Sequence, residues 1–177
     1  NINQPKQEVQ HHLAKVFYEQ KLNESSKIDF QYAFQFNNRK EFDVRRNSED
    51  ERPALDLNLA SHNFQTNYKY SKESWKFTNG ISFGYQNNVA NPNTGVKPLI
   101  PNFDKLDFGI YSITNYRVDN SLKIEAGIRY DFSSIEASKF YLKSRWSERG
   151  YEDDFSQFIV EDYATQWLTK PTFDYHN

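Results

Sequence analysis

The chain has no cysteine, so it can build no disulfide framework, thiol nucleophile or cysteine-ligated zinc, and the redox compartment stays open. It has almost no net charge either: 22 Lys and Arg against 24 Asp and Glu leave a formal −2 over 177 residues. That balance gives no drive toward an acidic partner, and nothing marks a nucleic-acid binder. Long apolar runs are missing too. No stretch approaches the ~18 residues of a membrane-spanning helix, and the opening "NINQPKQEVQ" has neither the basic start nor the apolar run of a signal peptide. Also absent are a Ser or Cys nucleophile motif, a Gly-rich phosphate loop and an HExxH zinc helix, so the chain reads as no enzyme and implies no cofactor.

What it has is aromatic and alternating. Phe, Tyr and Trp make up 17% of the residues, as many as a barrel with interfacial girdles or a sugar-binding sheet needs. In "LKIEAGIRYDF", Leu122, Ile124, Ala126, Ile128, Tyr130 and Phe132 fall on one side and Lys123, Glu125, Gly127, Arg129 and Asp131 on the other. Six such segments read as strands, at about residues 8–22, 27–44, 54–70, 75–88, 106–118 and 122–132, each bounded by turn-type residues. Within 54–70 the apolar parity switches, from Leu55, Leu57 and Leu59 to Phe64, Tyr68 and Tyr70, which predicts a bulge or a change of surroundings near 60–63. Residues 133–177 show no sustained alternation and read as one long loop.

The connections alternate as well: short at 23–26, 71–74 and 119–121, long at 45–53, 89–105 and from 133 onward. Short turns at one end and long loops at the other is the habit of outer-membrane barrels. Strand length agrees, since eleven residues at ~3.4 Å each, tilted by roughly 40°, rise about 28 Å and cover an apolar band of ~25 Å. Six strands cannot close alone, because the smallest common barrels have ~8. The expected class is therefore all-β, an antiparallel up-and-down transmembrane β-barrel segment of about six long strands with short periplasmic turns and long extracellular loops.

Several separated stretches carry a resemblance: "QEVQHHLAKV", "YAFQFNNRKEFDVRR", "PALDLNLASHNFQTNYKY", "GIRYDFSSIEASKFYLKSRWSERGYEDDFSQ" and "TQWLTKPTFDYHN". Together they span nearly the whole chain and resemble the mid-barrel region of TonB-dependent outer-membrane receptors. The resemblance implies a Gram-negative outer membrane and a barrel of about 22 strands with a plugged lumen. It further implies import of an iron chelate, oligosaccharide or similar small molecule with energy relayed by TonB. No plug-like region, TonB box or aromatic-ended final strand is found, so the chain resembles an internal piece whose partners are lipid, the plug, the remaining strands and, through the missing N-terminal region, TonB.

On that resemblance Phe30, Phe34, Phe77, Ile81, Phe83, Ile110, Ile124 and Ile128 face lipid, with Tyr32, Trp75, Tyr85, Tyr116 and Tyr130 near its interfaces. Asp29, Gln31, Gln35, Lys76, Lys123, Glu125, Arg129 and Asp131 line the lumen. Strand glycines in "SFGY" and "EAGIRY", Gly84 and Gly127, relieve crowding or ease curvature there. Arg145, Trp146, Arg149, Tyr151 and Trp167 in the last loop are the ligand candidates, because Arg pairs with carboxylates and flat aromatic faces suit sugars or aromatic chelates. The acids Glu152, Asp153, Asp154, Glu161 and Asp162 lack EF-hand spacing and read as a solvated face. His11 and His12 point to opposite faces of a strand, so no metal site is expected. Two other classes fit the same alternation: a soluble β-sandwich or barrel that binds carbohydrate, and an outer-membrane scaffold for partner proteins.

Overall fold

The computed structural model describes residues 4–43, 52–91, 94, 98–142 and 167–176. They form seven strands: β1 (Lys6–Lys21), β2 (Ser26–Phe42), β3 (Leu55–Lys72), β4 (Trp75–Ala90), β5 (Asn102–Arg117), β6 (Lys123–Leu142) and β7 (Trp167–His176). All lie in one sheet in chain order, each antiparallel to the next, so the architecture is all-β and up-and-down. Alternating aromatic and β-branched residues favour this pleated state along most of the length. Among the described residues β1 and β7 are the sheet's open edges, and β1 is exposed along all 16 of its residues.

Of the two readings of the parity switch in β3 the bulge falls away, and the loops expected at 133–177 and 89–105 need correction. The parity switch in β3 involves no bulge, because β3 pairs with β2 from Leu55 to Tyr70 and with β4 from Leu57 to Lys72 without a register shift. The backbone is continuous, and only the surroundings of its two faces change. For the same reason residues 133–177 are not one loop. β6 runs on past Phe132 to Leu142, and β7 pairs with that extension. Alternation vanishes after Phe132 because Ile135 and Ala137 sit in the other phase, although the hydrogen-bonded ladder continues. β7 carries the sheet's one described register shift, opposite Ala137/Ser138, beside Pro171, which has no N–H to give.

Similarly, β4 and β5 extend into the stretch expected as loop at 89–105. Side chains tie their ends: Asn88 Nδ2 donates to the Pro101 carbonyl (2.9 Å), and Asn102 Oδ1 accepts from the Ala90 N–H (2.8 Å).

Short connections, 22–25, 73–74 and 118–122, share one end of the sheet. In the first, the Leu22 and Asn23 N–H groups both donate to the Ser26 carbonyl. In the third, Asp119 Oδ1 accepts from the Ser121 N–H (2.7 Å), the Ser121 hydroxyl (2.8 Å) and the Leu122 N–H (2.9 Å). These bonds, the Ser121 amide foremost, hold the Asp119 carboxyl below the usual carboxylate range. Its support of the turn is therefore complete above the ordinary carboxylate pKa and is lost as pH falls through the lowered value.

The two-residue turn places Glu73 at φ 52°, the only positive φ of a non-glycine residue among those described. Such a turn prefers glycine there. Glu73→Gly is expected to raise the urea midpoint of unfolding, by at most about 1 kcal/mol of stability; a lower midpoint would contradict this account of the turn.

Candidate functional site

Directly paired residues of antiparallel strands share a face, so the register sorts every side chain. The row Tyr18, Phe30, Thr66, Ile81, Ile110 and Tyr130 and the row Val16, Tyr32, Phe64, Phe83, Phe108 and Phe132 lie on one face. All eight residues expected to face lipid fall on this face, and all eight expected to line a lumen fall on the other.

The apolar face is uncovered among the described residues. Ile128 is 76% exposed, Tyr130 65% and Ile124 52%, and no second layer packs on them. A concavity of about 550 Å³ on it is walled by Ile28, Tyr68, Ile81, Ile110 and Ile128. Aromatic rings cluster toward its two ends. Trp75 lies against Tyr116 (ring centroids 4.3 Å apart) and Phe77 (5.5 Å) near the short turns. At the other end His62 contacts Phe34 (4.9 Å) and Tyr85 (6.1 Å) and shares a hydrogen bond with Tyr32 Oη (2.8 Å).

Beyond that second cluster the faces exchange character. The formerly apolar side becomes a polar mesh. Asn38 Nδ2 donates to Asn58 Oδ1 (2.8 Å) and Asp56 Oδ1 (3.0 Å), while Tyr85 Oη (2.6 Å) and Asn87 Nδ2 (2.9 Å) donate to Asp104. Among the described residues, the apolar side chains still on it include Val89 and Leu106, which are exposed, and Phe36 and Phe42, which are half-buried. The opposite side, polar until here, now holds Leu57, Ala90 and Ala137, which are the buried hydrophobic residues among those described.

Between the aromatic clusters, the polar face is knitted by side chains that reach across strands. Asp29, 2% exposed, is paired with Lys69 Nζ (2.7 Å) and accepts from Asn67 Nδ2 (2.7 Å). Tyr111 Oη donates to Asn67 and accepts from Gln65 Nε2 (2.7 Å), and the Arg129 guanidinium sits 5.3 Å over the Tyr111 ring. Arg129 then grips Asp131 with two nitrogens (2.6 and 2.7 Å). Lys69→Met leaves a buried carboxylate with one fewer partner and is expected to cost about 1–3 kcal/mol, the lower part because Lys69 is itself partly exposed. Asp29→Asn in the same background should restore part of that loss in denaturant titrations; no restoration would mean that the ion pair is not what Lys69 supplies.

Tight packing on this face falls at glycines other than those expected. A Cβ at Gly80 would overlap the Tyr111 ring, and one at Gly109 would lie 2.7 Å from Arg129 Nη2 and Ser82 Oγ. At Gly84 and Gly127 it would meet only ordinary contacts of 3.5 Å or more. Lys76, Lys123 and Glu125 stand apart from the network, exposed near the short-turn end, and Lys123 and Glu125 approach only to 3.7 Å. Gln35 lies in the register opposite Leu13 of β1 and Ser61 of β3.

Arg145, Trp146, Arg149, Tyr151 and the acidic run Glu152, Asp153, Asp154, Glu161 and Asp162 lie outside the described residues. Trp167 is not in a loop: it begins β7, opposite Leu142. Spacing alone did not single out Asn67, Gln65 or Tyr111, although their parity with Asp29 and Arg129 through the hairpins contained the signal. The two-face pattern is broken at Leu13 and Phe17 of β1 and at Ile113 of β5, which stand exposed on the polar stretch of that side, while Val9 shares its row with Leu57 and Ala90.

No protein-family model matches the chain, and no curated protein matches it.

Proposed function

We propose that the chain forms part of the wall of an outer-membrane β-barrel of the TonB-dependent receptor type, serving uptake of a small-molecule or oligosaccharide nutrient in a Gram-negative bacterium. The exchange of polarity along unbroken strands carries this proposal. Where lipid surrounds a barrel, outward residues are apolar and inward ones polar; once the strands emerge into water, outward residues turn polar and apolar ones pack inside. The aromatic clusters stand at the two boundaries, where amphipathic rings reside. Two open edges support the same reading, since each unpaired backbone group in lipid costs several kcal/mol and further strands must complete the cylinder.

In this setting the residues from Asp29 to Asp131 on the polar face meet the lumen, water and a plug domain supplied elsewhere in the protein. A carbohydrate-binding sandwich would need a second layer over the apolar face, and the described residues form one sheet. The test is cellular. The whole protein should fractionate with outer membranes, and cells lacking either it or TonB should lose energised uptake of the same nutrient; recovery as a detergent-free soluble monomer would overturn the proposal.

A further inference from the structure

The polar face contains a depression of about 390 Å³, displaced from the short turns toward the end with the longer connections. Its floor is low because β4 contributes the small residues Gly84 and Ser82 there. One wall is made of neutral amides, Gln31, Asn63 and Gln65. Gln65 uses its amide nitrogen on Tyr111, whereas no described protein group takes up the side-chain amides of Gln31 and Asn63.

The opposite wall is charged but internally balanced. Lys105 pairs with Asp107 (2.9 Å), which also accepts from the Ser133 hydroxyl (2.6 Å), and Arg129 is locked on Asp131. Two cations and two carboxylates cancel, so the depression carries no net charge with which to favour an ion of either sign. What it offers is many donors and acceptors in both directions. A primary amide supplies both, and so does each hydroxyl of a sugar, which donates once and accepts twice. The volume lies near the low end of small-ligand sites, ~300–1,000 Å³, and suits about one or two sugar rings.

We infer that this depression, lined by Gln31, Asn63, Gln65 and the balanced Lys105–Asp107 and Arg129–Asp131 pairs, is a binding site for a neutral polyhydroxylated ligand, a short uncharged saccharide. The inference rests on the barrel-wall reading, in which this face borders the lumen between wall and plug. It narrows the transported class to uncharged sugars and away from anionic chelates.

The whole protein in lipid nanodiscs is titrated calorimetrically with maltotriose, cellotriose, xylotriose and mannotriose, and with trigalacturonate as a charged counterpart. At least one neutral trisaccharide is expected to bind saturably, at least tenfold more tightly than trigalacturonate. Gly84→Ala adds a methyl group that meets only ordinary contacts at 3.5 Å, so the fold is kept while the floor rises. It should weaken the binding at least tenfold, as should Asn63→Leu from the wall. Absence of saturable binding by every neutral sugar, preference for trigalacturonate, or binding untouched by both variants overturns the inference. Fluorescence quenching of the protein by brominated lipid, measured on the same nanodiscs, decides the barrel-wall reading separately: quenching without sugar binding removes only the ligand site, and no quenching removes the wall.

Discussion

Ile128→Arg is expected to destabilise the protein in a bilayer by roughly 2–4 kcal/mol, the cost that the proposed barrel wall sets on a cation near its midplane. Ile128 lies well inside the apolar run from Leu122 to Phe132 and is 76% exposed, with its partner Ser112 beside it. Ile124 differs. It pairs with Tyr116, whose ring lies tilted against Trp75 in the cluster nearest the short turns, so its side chain is at a boundary and Ile124→Arg should cost about 0–1 kcal/mol. The gradient between the two positions is the informative quantity. On a water-exposed face both substitutions would fall within about 0.5 kcal/mol of neutral. Equilibrium unfolding from phospholipid vesicles, run in parallel on both variants, gives the comparison.

Gly80→Ala should destabilise by about 1–3 kcal/mol through overpacking, although it is a change of one methyl group in a half-open sheet. The Tyr111 ring occupies the space above Gly80 and cannot swing aside cheaply, because Asn67 and Gln65 hold its hydroxyl and Arg129 covers its other side. Gly84→Ala, four residues along the same strand on the same face, should be nearly neutral by the same measurement. Tyr111→Ala combined with Gly80→Ala should remove the extra penalty in a double-mutant cycle. Equal effects at Gly80 and Gly84 would show that backbone entropy, and not the ring above Gly80, sets the cost.

These contrasts also mark how far the residues alone could be read. Alternation is unbroken from Ile28 to Phe36 and from Leu122 to Phe132, and from Trp75 to Tyr85 only Asn79 interrupts it, so the two faces and the hairpin order are legible where one face is mainly apolar. Legibility failed beyond Phe132 and before Leu106. There the ladder continues, but residues such as Asp104 and Glu136 on the formerly apolar face are polar and ones such as Ala137 on the other face apolar, and a scan for one fixed parity reads the change as loop. The same change at 60–63 of β3 mimicked a bulge. Within the polar face, charged residues announced themselves, whereas the uncharged network of Gln65, Asn67 and Tyr111 is visible only once the register sets three strands side by side. Gly80 and Gly109 needed more still, because whether a glycine is crowded depends on which rotamer a neighbour two strands away adopts.

The central claim is that one face of β6 meets hydrocarbon up to Phe132 and water beyond it. The chain's lack of cysteine makes this directly measurable: single cysteine substitutions from Leu122 to Ser138, each carrying a nitroxide, can be scanned without background in the protein reconstituted into bilayers. Collision with dissolved oxygen, which concentrates in lipid, should alternate with period two and peak at Ile124, Ala126, Ile128 and Tyr130. From Ser134 onward the even positions should instead collide with a water-soluble paramagnetic reagent. Water-reagent access at Ala126, Ile128 and Tyr130 equal to that at Ser134 and Glu136 would contradict the account.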